Sequence, residues 1–235
     1  MHDLQRYSTI PGKMPREMVL LRGYGCGWAR CAFCDYHLDR CADGAANFAL
    51  NRRVLGQVTG EFRRLEAINS GSFCELDADT LALLERVCLK KQIETLHVEC
   101  HWMHRGKVPA LREHYAAHGI RVRVRLGVES FDYDFRENVL HKGIAERDPA
   151  KIAADFDECN LLFGLPGQTA ESMRRDIETG LAHFDRLYLN LMTANSAPLQ
   201  PDAAACAAFR GELFPLYRDN PHVDILLENT DFGVG

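Results

Sequence analysis

Ile120-Arg-Val-Arg-Val-Arg-Leu126 alternates apolar and charged side chains without a break. Alternation at period two marks a β-strand with two unlike faces. Ile120, Val122, Val124 and Leu126 are predicted to meet a layer of helices, which leaves Arg121, Arg123 and Arg125 on the opposite face. Counting on in twos adds Glu129 to that polar face. The rhythm recurs on either side. Leu96 and Val98 alternate with His97, Glu99 and His101, and Leu187, Leu189 and Leu191 alternate with Tyr188, Asn190 and Met192.

Further strands are predicted at Met18–Tyr24, Leu65–Ser70 and Cys159–Leu165, with a short one at Val223–Leu227. Helical periodicity fills the gaps, at Phe48–Arg64, Ala78–Lys91, Val108–His118, Tyr133–His141, Ala170–Phe184 and Ala203–Tyr217. Asp77 and Thr169 read as N-caps, Gly119 and Gly143 as stops. Six βα units in a row imply a parallel sheet with right-handed crossovers. Six are too few to close an eight-stranded barrel. The expected fold is α/β, a partial (β/α)6 barrel with parallel strands and outer helices. One domain is expected over residues 1–235, with a C-terminal extension from about residue 196. Its working edge is the C-terminal end of the strands, where the βα loops gather.

A packed barrel interior is mostly Val, Ile and Leu, whereas this one is polar. Buried charge is costly unless paired, so the interior is expected to hold water or a polar ligand. The competing reading pairs Arg121 and Arg123 with Glu99, or leaves them at the solvated bottom of the barrel.

The 235 residues are 46% hydrophobic and carry a net charge of -5. No long Lys/Arg run is present, which disfavours a broad nucleic-acid footprint. No apolar stretch is long enough to span a membrane. Met1-His-Asp-Leu-Gln-Arg6 lacks the apolar core of a secretory signal, so a cytoplasmic protein is expected. Nine cysteines would then stay reduced. Cys74, Cys88, Cys100, Cys159 and Cys206 are scattered among apolar residues and read as small buried hydrophobes.

Cys26, Cys31, Cys34 and Cys41 crowd one segment, residues 25–41, directly after the first predicted strand. In Leu21-Arg-Gly-Tyr-Gly-Cys-Gly-Trp-Ala-Arg-Cys-Ala-Phe-Cys-Asp-Tyr36 the spacing is C-x4-C-x2-C. Iron–sulfur cubanes are normally held by four thiolates. Three cysteines would hold three irons and leave one open to a small molecule. A zinc site with Cys41 as fourth ligand, or a redox thiol pair, is the competing reading.

This loop resembles that of the radical SAM superfamily. The first gap is one residue wider than the usual C-x3-C-x2-C. Phe33 fills the aromatic position before the third cysteine. Three further stretches fall at corresponding strand ends. Asn69-Ser-Gly-Ser-Phe73 stands where the family carries a Gly-Gly-Glu-like motif for the methionine amino group. The glutamate is missing there, so Ser70, Gly71 and Ser72 would serve through hydroxyl or backbone oxygens. Leu126-Gly-Val-Glu-Ser130 places Glu129 at a position that contacts the ribose of S-adenosylmethionine (SAM), and Arg136-Glu-Asn-Val-Leu-His-Lys-Gly143 resembles the helix that follows. Leu161-Leu-Phe-Gly-Leu-Pro-Gly-Gln-Thr169 is similar to a motif packed on adenine, with Leu162 and Gly164 as contacts.

The resemblance implies a [4Fe-4S] cluster on Cys26, Cys31 and Cys34 that chelates SAM. An electron from a flavodoxin- or ferredoxin-type donor would split SAM into methionine and a 5′-deoxyadenosyl radical, which takes hydrogen from the substrate. Arg125 is a candidate partner for the methionine carboxylate or a structural pair within the barrel, both readings standing equal. Cys41 is expected outside the ligand set.

The substrate is expected to be a small deazapurine or nucleobase-like compound. Glu99, His101, Tyr188 and Asn190 suit polar heterocycle edges. Glu228 and Asp231 in the tail Leu226-Leu-Glu-Asn-Thr-Asp-Phe-Gly-Val-Gly235 would close the pocket, or else mark an exposed and frayed acidic terminus. The cysteine loop and the Asn-Ser-Gly-Ser-Phe motif resemble an Elongator-like subgroup. Within it, the short chain and polar pocket are similar to the queuine lyases, which release an aminomethyl-deazaguanine base from free queuine. A tRNA-modifying enzyme of the archaeosine type and a non-catalytic zinc or redox-sensing module are the alternatives.

Overall fold

The structure, a computed structural model, describes residues 4–235; Met1, His2 and Asp3 of the N-terminal reading lie outside the described residues. Eight strands follow one another in chain order, β1 (Tyr7–Ile10), β2 (Arg16–Leu21), β3 (Arg64–Asn69), β4 (Thr95–Glu99), β5 (Arg121–Glu129), β6 (Glu158–Phe163), β7 (Arg186–Leu191) and β8 (Val223–Leu226). Between them run α1 (Gly44–Leu55), α2 (Ala78–Lys90), α3 (Val108–Ala116), α4 (Pro149–Ala153), α5 (Ala170–His183), α6 (Ala203–Ala208) and α7 (Phe214–Tyr217). This is the α/β partial-barrel class expected, with an antiparallel β1 added at one edge. The chain divides into two compact units. The first runs up to Ala29 and adds Tyr36–Val124 and Phe232–Gly235; the second is Arg30–Asp35 with Arg125–Asp231.

In the first unit β2, β3 and β4 are parallel, with Val19 beside Ala67 and Leu65 beside Leu96. Arg16 and Glu66 form an ion pair with no exposure on either side chain. Such a pair stabilises little in net terms, but losing one partner costs about 3–5 kcal/mol. Glu17, also buried, accepts from Thr59 N at 2.6 Å, Gly60 N at 2.7 Å and the Tyr7 hydroxyl at 2.8 Å. Those bonds hold residues 59 and 60 in a turn. Helix α1 therefore stops at Leu55 rather than running on to Arg64. It also starts earlier than Phe48, because the Asp43 carboxylate caps Ala45 N and Ala46 N. The C-terminus is not frayed: Gly235 N donates to Gln5 O at 2.8 Å and Gln5 N to Gly235 O at 3.2 Å.

In the second unit β6, β7 and β8 continue in parallel register. Asp77 and Thr169 cap α2 and α5 as predicted. Two predicted helices open into wide π-type turns, at Phe135–Val139 and at Phe209–Leu213. The second precedes Pro215, which has no N–H to continue the α-helical ladder. Leu140, Leu162, Leu165 and Met192 form a buried cluster against which Phe33, Phe135 and Leu199 pack. Among the described residues no helix is long and apolar enough to cross a membrane.

Candidate active site

In the first unit the chain leaves β2 at Leu21 and enters the cysteine loop. Cys26 is half-buried, and its sulfur accepts from Ala29 N at 3.5 Å. The loop rests on the strand end that carries Ser70, Gly71 and Ser72. A Cβ on Gly71 would lie 2.9 Å from Gly25 O and 3.2 Å from Cys26 Cα, so only glycine lets the two backbones meet. Ser72 is buried, and its hydroxyl accepts from His101 N at 2.9 Å. The His101 ring stacks on Trp28, centroids 5.4 Å apart, while Glu99 is half-buried at the end of β4.

A carboxylate stands three positions on from Ser72. Glu75 closes a 3₁₀ turn, Phe73–Glu75, and folds back as the second half of a capping box with Ser72. Its Oε2 accepts from Ser72 N at 2.6 Å and its Oε1 from Gly27 N at 2.6 Å, with His104 Nε2 at 3.2 Å. Glu75 lines a cavity of about 260 Å³ together with Tyr24, Gly25, Cys26 and Gly27. One carboxylate, its charge shared among N–H donors, thus stands in the wall beside the first cysteine.

Cys31 and Cys34 belong to the second unit, which pins their part of the loop at several points. Ala32 N donates to Leu140 O at 3.0 Å, Leu199 N to Ala32 O at 2.9 Å and Asn195 Nδ2 to Phe33 O at 2.9 Å. Asp35 accepts from Ser196 N and its hydroxyl at 3.0 and 2.9 Å. Phe33 faces the Leu140–Leu162 cluster, and Lys142 Nζ stands 5.6 Å from its ring centroid.

Glu129 sits where β5 slips register between Gly127 and Glu129, with φ at +68. The period-two count therefore breaks at Gly127; a bulge, not alternation, aims this carboxylate. It accepts from Lys142 Nζ at 2.9 Å. A Cβ on Gly127 would come within 2.8 Å of that same nitrogen. Burial works against the Lys142 charge, but Glu129, then Cys31 and Cys34, more than offset it and hold the ammonium above its usual range.

Deeper in the unit the polar face pairs with itself. The Arg125 guanidinium lies 3.4 Å over the Tyr188 ring, and its Nη2 is 3.6 Å from Glu158 Oε2. The Tyr188 hydroxyl donates to that oxygen at 3.2 Å. Arg186 and Asp224 pair at 2.9 Å. Arg125 thus has an acid and an aromatic ring of its own unit as neighbours. Asn190 bonds to the carbonyls of Leu161 and Tyr188 at 3.4 and 3.3 Å. Leu162 is buried in the apolar cluster, and the Cys206 thiol reaches Gly164 O at 3.6 Å. Glu228 and Asp231 are exposed: Asp231 accepts from Leu227 N at 2.6 Å and Glu228 N at 3.0 Å, and Glu228 Oε1 is 3.6 Å from Arg210.

Of the five scattered cysteines, three pack in the interior as expected, whereas Cys74 and Cys206 are only half-buried. Cys88, Cys100 and Cys159 are buried, and burial pushes the Cys88 thiol up to about 12 and that of Cys159 well above its ordinary value. Cys41 is half-buried; its N–H donates to Gly23 O at 3.2 Å, and its carbonyl accepts from Asn47 at 2.8 Å.

With this geometry in hand, one solved structure matches the chain end to end. It is a queuine lyase from Clostridium spiroforme bound to SAM and queuine, 39% identical, covering 99% of this chain and 100% of that one at a TM-score of 0.95. The chain belongs to the queuine lyase family. That membership bears out the resemblance of the cysteine loop to the radical SAM superfamily, and a lyase family sets aside the non-catalytic module. Streptococcus suis SuiB bound to S-adenosylmethionine shares the fold, at a TM-score of 0.56 and 11% identity over 90% of this chain and 50% of that one. No family model matches the sequence, and no curated protein does.

Sequence reasoning missed two residues, Glu75 beside Cys26 in the first unit and Lys142 beside Glu129 in the second. Glu75 had a signal in Ser72-x-x-Glu75, the spacing of a capping box. Lys142 lay within the quoted Arg136–Gly143 stretch, and only the fold of the π-type turn brings it to Glu129.

Proposed function

We propose that this chain is a queuine lyase that uses SAM and a [4Fe-4S] cluster to cleave free queuine to its aminomethyl-deazaguanine base. The observation that carries the reading is the full-length match to a lyase bound to SAM and queuine. The donor set fits a cluster: Cys26, Cys31 and Cys34 are partly exposed free thiols on one short loop. A buried lysine adds positive charge near two of them, as bound thiolates require. When bound, the cluster supplies the electron that splits SAM and so generates the hydrogen-abstracting radical.

The protein's own work is placement. Glu75 is the acceptor for an ammonium such as that of the methionine moiety. Lys142 is the cation for its carboxylate, and Glu129 accepts from ribose hydroxyls. Phe33 and Leu162 offer an apolar wall for adenine, which excludes water from the reacting face. His101, Glu99 and Asn190 remain candidates for the polar edge of the deazaguanine. Tyr188, which already donates to Glu158, acts by positioning. A flavodoxin- or ferredoxin-type protein is the proposed donor.

The test is anaerobic. Reconstituted and reduced enzyme is incubated with SAM and queuine, and products are read by mass spectrometry. Loss of queuine that depends on SAM and reductant, with 5′-deoxyadenosine formed and the aminomethyl-deazaguanine released, supports the assignment. An iron-loaded enzyme that leaves queuine intact while modifying tRNA overturns it.

A further inference from the structure

Away from the cysteine loop, the first unit brings three metal-ligating side chains to one point. Glu85 lies on α2, His114 on α3, and His118 follows four residues later, just past the helix end. The spacing of four puts both imidazoles on one side of the turn. His114 Nε2 is 3.1 Å from Glu85 Oε2, and His118 Nε2 is 3.3 Å from Glu85 Oε1. One ligand atom from each of the three residues falls within 4.8 Å of the others. The two rings stand 5.6 Å apart at 76°, so their nitrogens converge on the carboxylate without stacking.

We propose that Glu85, His114 and His118 form a zinc site that clips α2 to α3. Two imidazoles and a carboxylate are a borderline donor set, suited to zinc rather than to calcium or magnesium. Bonds of about 2.0–2.1 Å at tetrahedral angles set ligand atoms about 3.3 Å apart. Each imidazole nitrogen already stands at about that separation from one of the two carboxylate oxygens, and with one ligand atom from each residue within 4.8 Å of the others, side-chain rotation is enough to bring the three onto one ion. Charge points the same way. One carboxylate balances a single imidazolium, and two imidazolium rings this close would repel, whereas one dication serves both neutral rings and the carboxylate. Three protein ligands leave a fourth position for water. The side chains are partly open to solvent, at 27% for Glu85, 54% for His114 and 38% for His118, so zinc can enter without unfolding.

The experiment uses the cluster-loaded enzyme, so that the cysteine loop is occupied by iron. Wild type and the His114→Gln/His118→Gln variant are dialysed against zinc chloride and desalted, and metals are counted by mass spectrometry. Wild type should retain one zinc per chain beyond its iron, and the variant none, at equal iron content. Zinc should raise the melting temperature of wild type alone. Glu85→Gln removes a ligand from the other helix and should lose the zinc as well. Zinc retained equally by the variants, or none retained by wild type, overturns the site.

Discussion

Lys142 Nζ lies 2.9 Å from Glu129 Oε1, and both side chains are about nine-tenths buried. A pair this enclosed costs desolvation on both sides, and the loss of one partner leaves a bare charge. Lys142→Met should therefore cost about 3–5 kcal/mol, read from urea unfolding of the metal-free chain. The Glu129→Gln/Lys142→Met double variant should recover most of that loss. The lysine also faces Cys31 and Cys34 electrostatically. Compared with the Glu129→Gln single variant, the double variant lacks only the lysine's positive charge, so cluster reduction should be harder, seen as a more negative midpoint potential in an EPR-monitored titration.

Glu75 makes a different test. Glu75→Gln keeps one oxygen for Gly27 N or Ser72 N but removes the negative charge. If that charge holds the methionine ammonium, SAM affinity should fall by about 1.5–3 kcal/mol, roughly ten- to 150-fold. Iron content should stay unchanged. Calorimetric titration with SAM measures the loss, and equal affinity in wild type and variant removes Glu75 from the proposal.

The three-ligand assignment predicts an asymmetry among four neighbouring cysteines. Alanine at Cys26, Cys31 or Cys34 should abolish 5′-deoxyadenosine formation and deplete cluster iron. Cys41→Ala should keep both, because only its backbone is engaged among the bonds seen. If Cys41→Ala also loses the cluster, the open-iron arrangement is wrong.

What could be read from sequence follows from the range of the forces involved. The alternation in Ile120–Leu126 is local, so β5 and its two faces were legible; Val122, Val124 and Leu126 are buried as the pattern demands. The identity of Arg125's acidic neighbour was not, because Glu158 comes beside it only through the β5–β6 register. β1 escaped notice because Tyr7-Ser-Thr-Ile10 carries no clear pattern. It is a strand because β2 pairs with it. Helix α4 announced itself in Asp148-Pro149, an N-cap followed by proline, and was overlooked. The cysteine loop stood out by its crowding, but its spacing alone left the zinc and redox readings open, and the motifs at the other strand ends were needed beside it. Glu75 reaches the loop through a 3₁₀ turn whose linear signal, the capping-box spacing Ser72-x-x-Glu75, went unused.

Asp176 gives a prediction in pH. This carboxylate, on α5, accepts from the Ser130 hydroxyl at 2.7 Å and from Phe131 N at 2.8 Å, the two residues that follow Glu129. Burial raises its pKa from 3.8 to about 6, against the hydrogen bonds that pull it down. A folded-state pKa above the unfolded one means that the native protein binds the extra proton between those values. Stability from this group is then present at low pH and is lost as pH rises through about 6. Full ionisation corresponds to roughly 3 kcal/mol. Asp176→Asn stays neutral at every pH, so the stability of wild type relative to this variant should decline from about pH 4 to 6 and then level. Melting curves across that window measure the difference. A difference that grows with pH would mean that the two hydrogen bonds outweigh burial, and that Asp176 is ionised in the native state throughout.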